Sequence, residues 1–442
     1  MFSIVLSLSI LTFFLLGFII HKLSNGFNIN YISFWFLSYV IFSLIGAILI
    51  SSGYVDNTYF VQPIKNDNTI KLWGSILIIY TGLSVFSIFL ILIYMIIGKR
   101  KIIYFLKGQD KLSLLRNEEI TIDIFFFIYF LIFIYYVIST HPSPLYLSLT
   151  DSNSETIAIR RIQVTRNLTE ISNTYIISIG YILSYLVSYC YIAVSAVSAV
   201  KRRPIITSLS VIISILFLLL SSEKAPIVFY LLGLLISYNT AKGKITKINT
   251  KIIIFILSFI IVLYLLFVSN NVTEIISKLT DRLFIAQSIS VYLSLKYYSL
   301  SGDLSFNTLS NIFTKILDIK TIEPASVELM KTYYSEMIAV GGWNVNGLFI
   351  HEAWANFGAL GIIIAPIIVT IENAIVFSIV ILLKRNVFQV SIYSYMTINC
   401  VYFLTSFNAY FYHSNLLIFS IILTFYYLTN KIISLLKTPR CQ

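Results

Sequence analysis

The densest run of reactive side chains is His351-Glu352-Ala-Trp354-Ala-Asn356-Phe357-Gly358. An imidazole beside a carboxyl can pass protons near neutral pH where burial raises the carboxyl. Trp354 and Phe357 can stack on a sugar ring or sit in the headgroup layer. Gly358 and Gly361 lie three apart and allow close helix packing on one face. The competing reading is an interfacial aromatic belt with a packing seam. Arg160, Arg161 and Arg166 form a second set. Guanidinium forks grip phosphate oxygens bidentately without losing charge. The same arginines can instead pair with Asp151, Glu155 and Glu170 in a solvated loop. A third set is the turn Ser221-Ser222-Glu223-Lys224 before Ala225-Pro226. A helix starting there points its positive end at an anion, or Glu223 and Lys224 satisfy each other. Arg282 is either a phosphate contact or a snorkelling interfacial cation. Glu372-Asn373 falls in the middle of an apolar run, where an ionisable group is a functional candidate or is protonated and hydrogen-bonded.

Other chemistries have no signature in the chain. There is no phosphate-cradling glycine loop, paired-histidine zinc motif or nucleophile elbow, which argues against a cytoplasmic nucleotide-driven pump. Cys190 and Cys400 fall in apolar runs, Cys441 lies in the tail, and none has metal-ligand spacing. Neither a metal nor another cofactor is expected.

The elements that must position these residues follow from composition. The 442 residues are 58% hydrophobic and only 11% charged, against about 25% charged in soluble domains. Lipid must solvate part of that apolar surface. The net charge of +12 sits in short loops between apolar runs, so nucleic acid is not the expected partner. A membrane helix needs about 20 apolar residues. Eleven runs approach that length: 2–20, 31–50, 73–97, 122–138, 175–200, 205–220, 226–238, 252–268, 360–383, 387–405 and 416–428. With no basic residue before Lys22, the first run reads as a retained helix rather than a cleaved signal. The expected fold is therefore an all-α polytopic membrane protein with about eleven transmembrane helices, one integral domain over 1–442.

Loop charge orients it. Lys99, Arg100 and Lys101, then Lys201, Arg202 and Arg203, then Lys242 and Lys244, then Lys384 and Arg385 alternate onto one face, the cytoplasmic one by the positive-inside rule. The N-terminus then lies outside and the C-terminus inside. The opposite face carries a loop at 139–172 and a large extracytoplasmic loop at 269–347. Within the latter, 283–295 fits either an amphipathic helix or a short buried strand.

This layout resembles the Wzy-type O-antigen, or oligosaccharide repeat-unit, polymerases of bacterial envelopes. The resemblance lies in the arginines Arg160, Arg161 and Arg166 before the fifth helix and the Ser221–Pro226 turn. Arg282 at the large loop and the His351-Glu352…Asn356-Phe357-Gly358…Gly361 approach to a late helix complete it. It spans nearly the whole chain as a layout, on short motifs. It departs at the repeated Arg-x10-Gly pattern: no glycine lies eleven residues after Arg160, Arg161, Arg166 or Arg282.

The family implies a GT-C-like, inverting glycosyltransferase in the bacterial inner membrane, working on its periplasmic side. It joins oligosaccharide repeat units carried on undecaprenyl diphosphate, alongside a chain-length regulator. In that scheme His351 or Glu352 is the base, and Arg282 belongs to the catalytic set. Arg160, Arg161, Arg166 and Lys224 face the diphosphate, while Trp354 and Asn356 contact sugar. The chain is also similar to O-antigen ligases, which share donor and topology but use a different acceptor. A lipid-linked oligosaccharide flippase is the alternative from another class. It fits less well, because charge inside the apolar runs is almost limited to Glu372 and the two halves do not look alike.

Overall fold

Hydrocarbon offers no partner to backbone N–H and C=O groups, so a chain this apolar must close its hydrogen bonds within helices. The computed structural model describes residues 1–24, 28–106, 112, 116–150, 154–165, 174–197, 203–222, 225–244, 246–247, 258, 279–302, 318, 323–339, 344–345, 347–400, 407 and 414–437. Its principal helices are α1 (Phe2–Ser24), α2 (Tyr31–Ser52), α3 (Asn68–Ile96), α4 (Arg116–Ser139), α5 (Ser154–Thr165), α6 (Thr174–Val197) and α7 (Pro204–Leu219). Then follow α8 (Ala225–Ala241), α9 (Ile289–Tyr297), α10 (Ala325–Tyr333), α11 (Ile350–Phe357), α12 (Ala359–Leu382), α13 (Val387–Asn399) and α14 (Ser414–Lys437).

Ten of the eleven apolar runs coincide with helices; the eleventh, 252–268, lies outside the described residues apart from Ser258. Among the described residues, α1, α2, α3, α4, α6 and α12 are long and apolar enough to cross a bilayer. The protein is a multi-pass membrane protein whose described elements are all helical apart from the two-residue strands Asn28–Ile29 and Thr246–Lys247. Packing gathers it into two compact units. One comprises 1–103, 264–382 and 399–412; the other comprises 104–263, 383–398 and 413–442.

The first unit is organised on α3, against which α12, α9, α1 and α2 pack. Its core is aromatic. Tyr31 stacks on Phe377 at 5.0 Å, and Trp35 meets Phe86 at 5.0 Å and Phe89 at 5.1 Å. The Tyr31 hydroxyl donates to Asn373 Oδ1 (2.7 Å) and Asn373 Nδ2 donates to Val369 O (2.7 Å). That pairing satisfies an amide in the middle of α12, as buried polar groups require. Asn30 and Ser33 start α2 with a reciprocal capping box. Its middle, Val40–Leu44, is a π-turn, which loosens the helical ladder. Ser288 uses that opening: its hydroxyl lies 3.2 Å from Phe42 O and 3.3 Å from Ser43 O.

The segment 281–297 is thus laid along α2 and α3 rather than held in solvent. It forms a π-turn (Asp281–Ile285) followed by α9. Neither alternative for 283–295 holds as stated: a helix forms over Ile289–Tyr297, but residues 289–294 are all buried rather than split between core and interface. Two glycines admit it. A Cβ on Gly46 would stand 2.1 Å from Phe284 O, and one on Gly74 would stand 2.3 Å from the Tyr292 ring.

The turn at 53–67 packs on the same helices. Lys296 donates to Pro63 O and Tyr334 to Phe60 O, both at 2.5 Å. This turn and helices α9 and α10 therefore share one side of the unit, as span alternation expects of both.

The second unit is built around α6, with α4, α7 and α8 against it. Tyr189 lies over Gly233 and donates to Tyr230 O at 3.0 Å. Tyr185 donates to Pro226 O at 3.2 Å. Phe388 and Tyr426 stack at 3.7 Å, joining α13 to α14. The described part of α13 is about 20 Å long and buried from Val387 to Ile398.

Candidate functional site

The site grows from the corner between α11 and α12. Eight residues of helix, Ile350–Phe357, end at Gly358, whose φ of +56° lies where side chains are strained. A Cβ there would stand 1.9 Å from Leu300 O. One on Gly361 would stand 2.1 Å from Ala353 O. The expected glycine seam is thus a sharp corner: Gly358 turns the chain, and Gly361 lets α12 start against the backbone of α11. The Ala359 N–H donates to Leu300 O at 2.9 Å and ties the corner to the end of α9.

This corner buries α11. His351 and Asn356 are each 1% exposed, Glu352 is 4% and Trp354 6%. Trp354 therefore lies inside the protein, not in an interfacial belt. Phe357 meets Phe407 edge to face at 6.0 Å. Asn356 Nδ2 donates to Glu352 O at 2.8 Å.

His351 Nδ1 lies 2.8 Å from Leu348 O. A carbonyl only accepts, so Nδ1 carries the hydrogen and Nε2 carries the lone pair. Among the described residues Nε2 has no hydrogen-bond partner. Burial pushes the imidazole pKa below its usual value; the Glu352 carboxylate and the Leu348 carbonyl act in the opposite direction. The ring is accordingly neutral at pH 7, oriented, and has a lone pair available. Those are the properties of a general base.

Three more buried polar atoms on α9 and α11 lack partners among the described residues: Trp354 Nε1, Ser290 Oγ and Ser294 Oγ. The two serines lie four apart on α9, hence on one face. Tyr292, on the opposite face, bonds Ser75 on α3 at 2.9 Å. The serine face meets the approach to α11: a Cβ on Gly347 would overlap Ser290 Oγ at 1.4 Å. Helices α9 and α11 pack directly. Buried polar groups are rarely left unpaired. Four such atoms fall on one packed helix pair, each with hydrogen-bonding capacity left for a hydroxyl.

Neither serine stands out in the sequence reading. The signal was present in Ser-Ile-Ser-Val-Tyr-Leu-Ser from Ser288 to Ser294, where a helical period gathers Ser290 and Ser294.

Of the expected cations, Arg282 is exposed on the π-turn in the first unit. Arg160 and Arg161 lie on α5 in the second unit, both half-buried. Arg160 braces its own loop. Its Nε donates to Pro142 O (3.0 Å), Nη1 to Gln163 Oε1 (3.0 Å), and Nη2 lies 3.3 Å from His141 O. Arg166 and Lys224 lie outside the described residues. Glu372 is half-buried on α12, and among the described residues no hydrogen bond or ion pair engages it.

The second unit holds a polar cleft absent from the sequence reading. Arg203 forks onto Asp123 at 2.7 and 2.9 Å, and the Tyr191 hydroxyl donates to the same carboxylate at 2.8 Å. Glu119 and Thr207 complete its lining. Among the described residues, no three histidine, cysteine or acidic side chains gather as metal ligands. No protein-family model, curated protein or solved structure matches the chain.

Proposed function

We propose that this chain is a repeat-unit polymerase of the Wzy type. In this reading it joins oligosaccharides carried on undecaprenyl diphosphate at the outer face of the bacterial cytoplasmic membrane, on an eleven-span, GT-C-like scaffold. One observation carries the reading: His351 is buried, oriented through Nδ1, and its Nε2 has no hydrogen-bond partner among the described residues.

The step needs a base and a charge sink. The acceptor sugar hydroxyl gives its proton to His351 Nε2 as its oxygen bonds the anomeric carbon of the growing chain. The bond from that carbon to the diphosphate breaks, and the diphosphate departs with the electron pair. Arg282, in the same unit as His351, is the cation assigned to it. Arg160 supports its loop in this scheme. Glu352 sits beside the base, and Asn356 holds the turn of helix that carries it.

The test is complementation of a strain lacking the chain. His351→Ala and His351→Gln should insert normally yet yield a single repeat unit on its acceptor instead of a polymer ladder. A wild-type ladder from both variants removes the base and the mechanism with it. Bare acceptor without any repeat unit indicates a ligase instead.

A further inference from the structure

We propose that an aromatic cluster at the end of α9, formed by Tyr59, Tyr297, Tyr298, Tyr333 and Tyr334 with Glu328, is a second glycan site that holds the polymer chain. The idea rests on the polymerase reading for its ligand, but on separate residues for its evidence.

The rings meet in two groups, joined through the chain neighbours Tyr333 and Tyr334. Tyr297 meets Tyr298 at 4.8 Å and Tyr333 at 6.3 Å, and Tyr59 meets Tyr334 at 5.4 Å. The two Tyr297 contacts are edge-on, at 87° and 77°, so the rings are not stacked away against each other. Tyr59 and Tyr297 remain 43% and 40% exposed. Glu328 accepts from Tyr298 at 2.7 Å and from Tyr297 at 3.2 Å. A carboxylate has about four acceptor positions, which leaves some for a ligand's hydroxyls. Burial and the nearby Glu336 carboxylate both push the Tyr59 phenol upward, which places a second acid beside the patch.

Flat apolar faces bordered by hydroxyls and carboxylates match a sugar, whose C–H faces stack on rings while its O–H edges donate. A headgroup layer is a poorer match. Anionic lipid attracts cations, and the two lysines flanking these rings are already engaged, Lys296 with Pro63 O and Lys331 with Glu323. Position also fits: Tyr297 lies seven residues beyond Ser290, about 10 Å along the same helix. A chain leaving the buried corner would cross this patch within one or two sugars.

The test uses the full chain in nanodiscs. The probe is an oligosaccharide of two or more repeat units, released by mild acid from the host's own polymer, and binding is followed calorimetrically. Tyr59→Ala and Tyr297→Ala should each weaken binding about tenfold, whereas the phenylalanine variants stay within about twofold. Glu328→Gln, which keeps the side chain's size, should weaken binding while leaving the unfolding midpoint unchanged. Wild-type affinity in the alanine variants, or no binding by the wild type, overturns the platform. His351→Ala separates the two ideas. Normal binding without polymer supports both, and normal polymer removes the base while leaving the platform to be judged on its own binding data.

Discussion

His351 shows how burial turns an ordinary side chain into a reagent. Desolvation disfavours the imidazolium, and the Leu348 carbonyl selects the tautomer. Two consequences follow. Under the proposed function, polymerisation should hold a plateau from pH 8 down through the ordinary imidazole range near 6.5 and fall only below it; a base limb centred above pH 7 would contradict this. Stability has the opposite reference. With the folded pKa lowered, the unfolded chain binds the extra proton, so stability drops as pH falls through about 6.5 toward the folded value. The wild-type unfolding midpoint should therefore fall more than that of His351→Gln between pH 7.5 and 5.5. A second residue-scale asymmetry concerns Lys71. It is 2% exposed and bonds Asp56 and Lys65 O, each at 2.7 Å. Asp56→Ala strands that buried ammonium and should cost about 3 kcal/mol, whereas Lys71→Met removes the charge and should cost clearly less. Thermal unfolding of the two variants in detergent decides.

At the level of elements, glycines set how closely helices approach. Helical propensity explains none of them, since Gly46, Gly74 and Gly82 are interior to α2 and α3, where glycine weakens a helix. Each instead receives a neighbour: Phe284 O and Ser288, the Tyr292 ring, and the Tyr39 ring. Gly46→Ala meets a backbone carbonyl that cannot swing aside. It should cost about 3 kcal/mol and loosen 281–297, read as faster amide exchange in α9. Gly74→Ala meets a ring that can turn at the expense of the Tyr292–Ser75 bond, so its loss should be smaller. Equal losses would mean that ring and carbonyl yield alike. The π-turn in α2 belongs to the same account: an irregular stretch of helix persists where Ser288 docks.

For the whole molecule, the loop charges and the packing of 53–67 on α9 and α10 support one orientation. In a chain whose three cysteines are replaced by serine, Thr332→Cys should react with an impermeant maleimide on intact cells. Lys101→Cys should react only after permeabilisation. The reverse pattern would invert the topology and place His351 on the cytosolic side.

The sequence alone determined the class of molecule and most of its helices. Twenty apolar residues in hydrocarbon have one way to satisfy their backbone, so ten runs read from composition reappear as helices. It also singled out His351, Glu352 and Arg282 by residue type. It could not say that 281–297 packs into the bundle, that Gly358 is a corner, or that Ser290 and Ser294 are buried on a helix packed against the one that carries His351. Those facts depend on which surfaces meet, and a local pattern of serines and glycines is compatible with many partners. Only the tertiary structure decided that His351 keeps a free lone pair, because a tautomer is chosen by the neighbour a fold supplies.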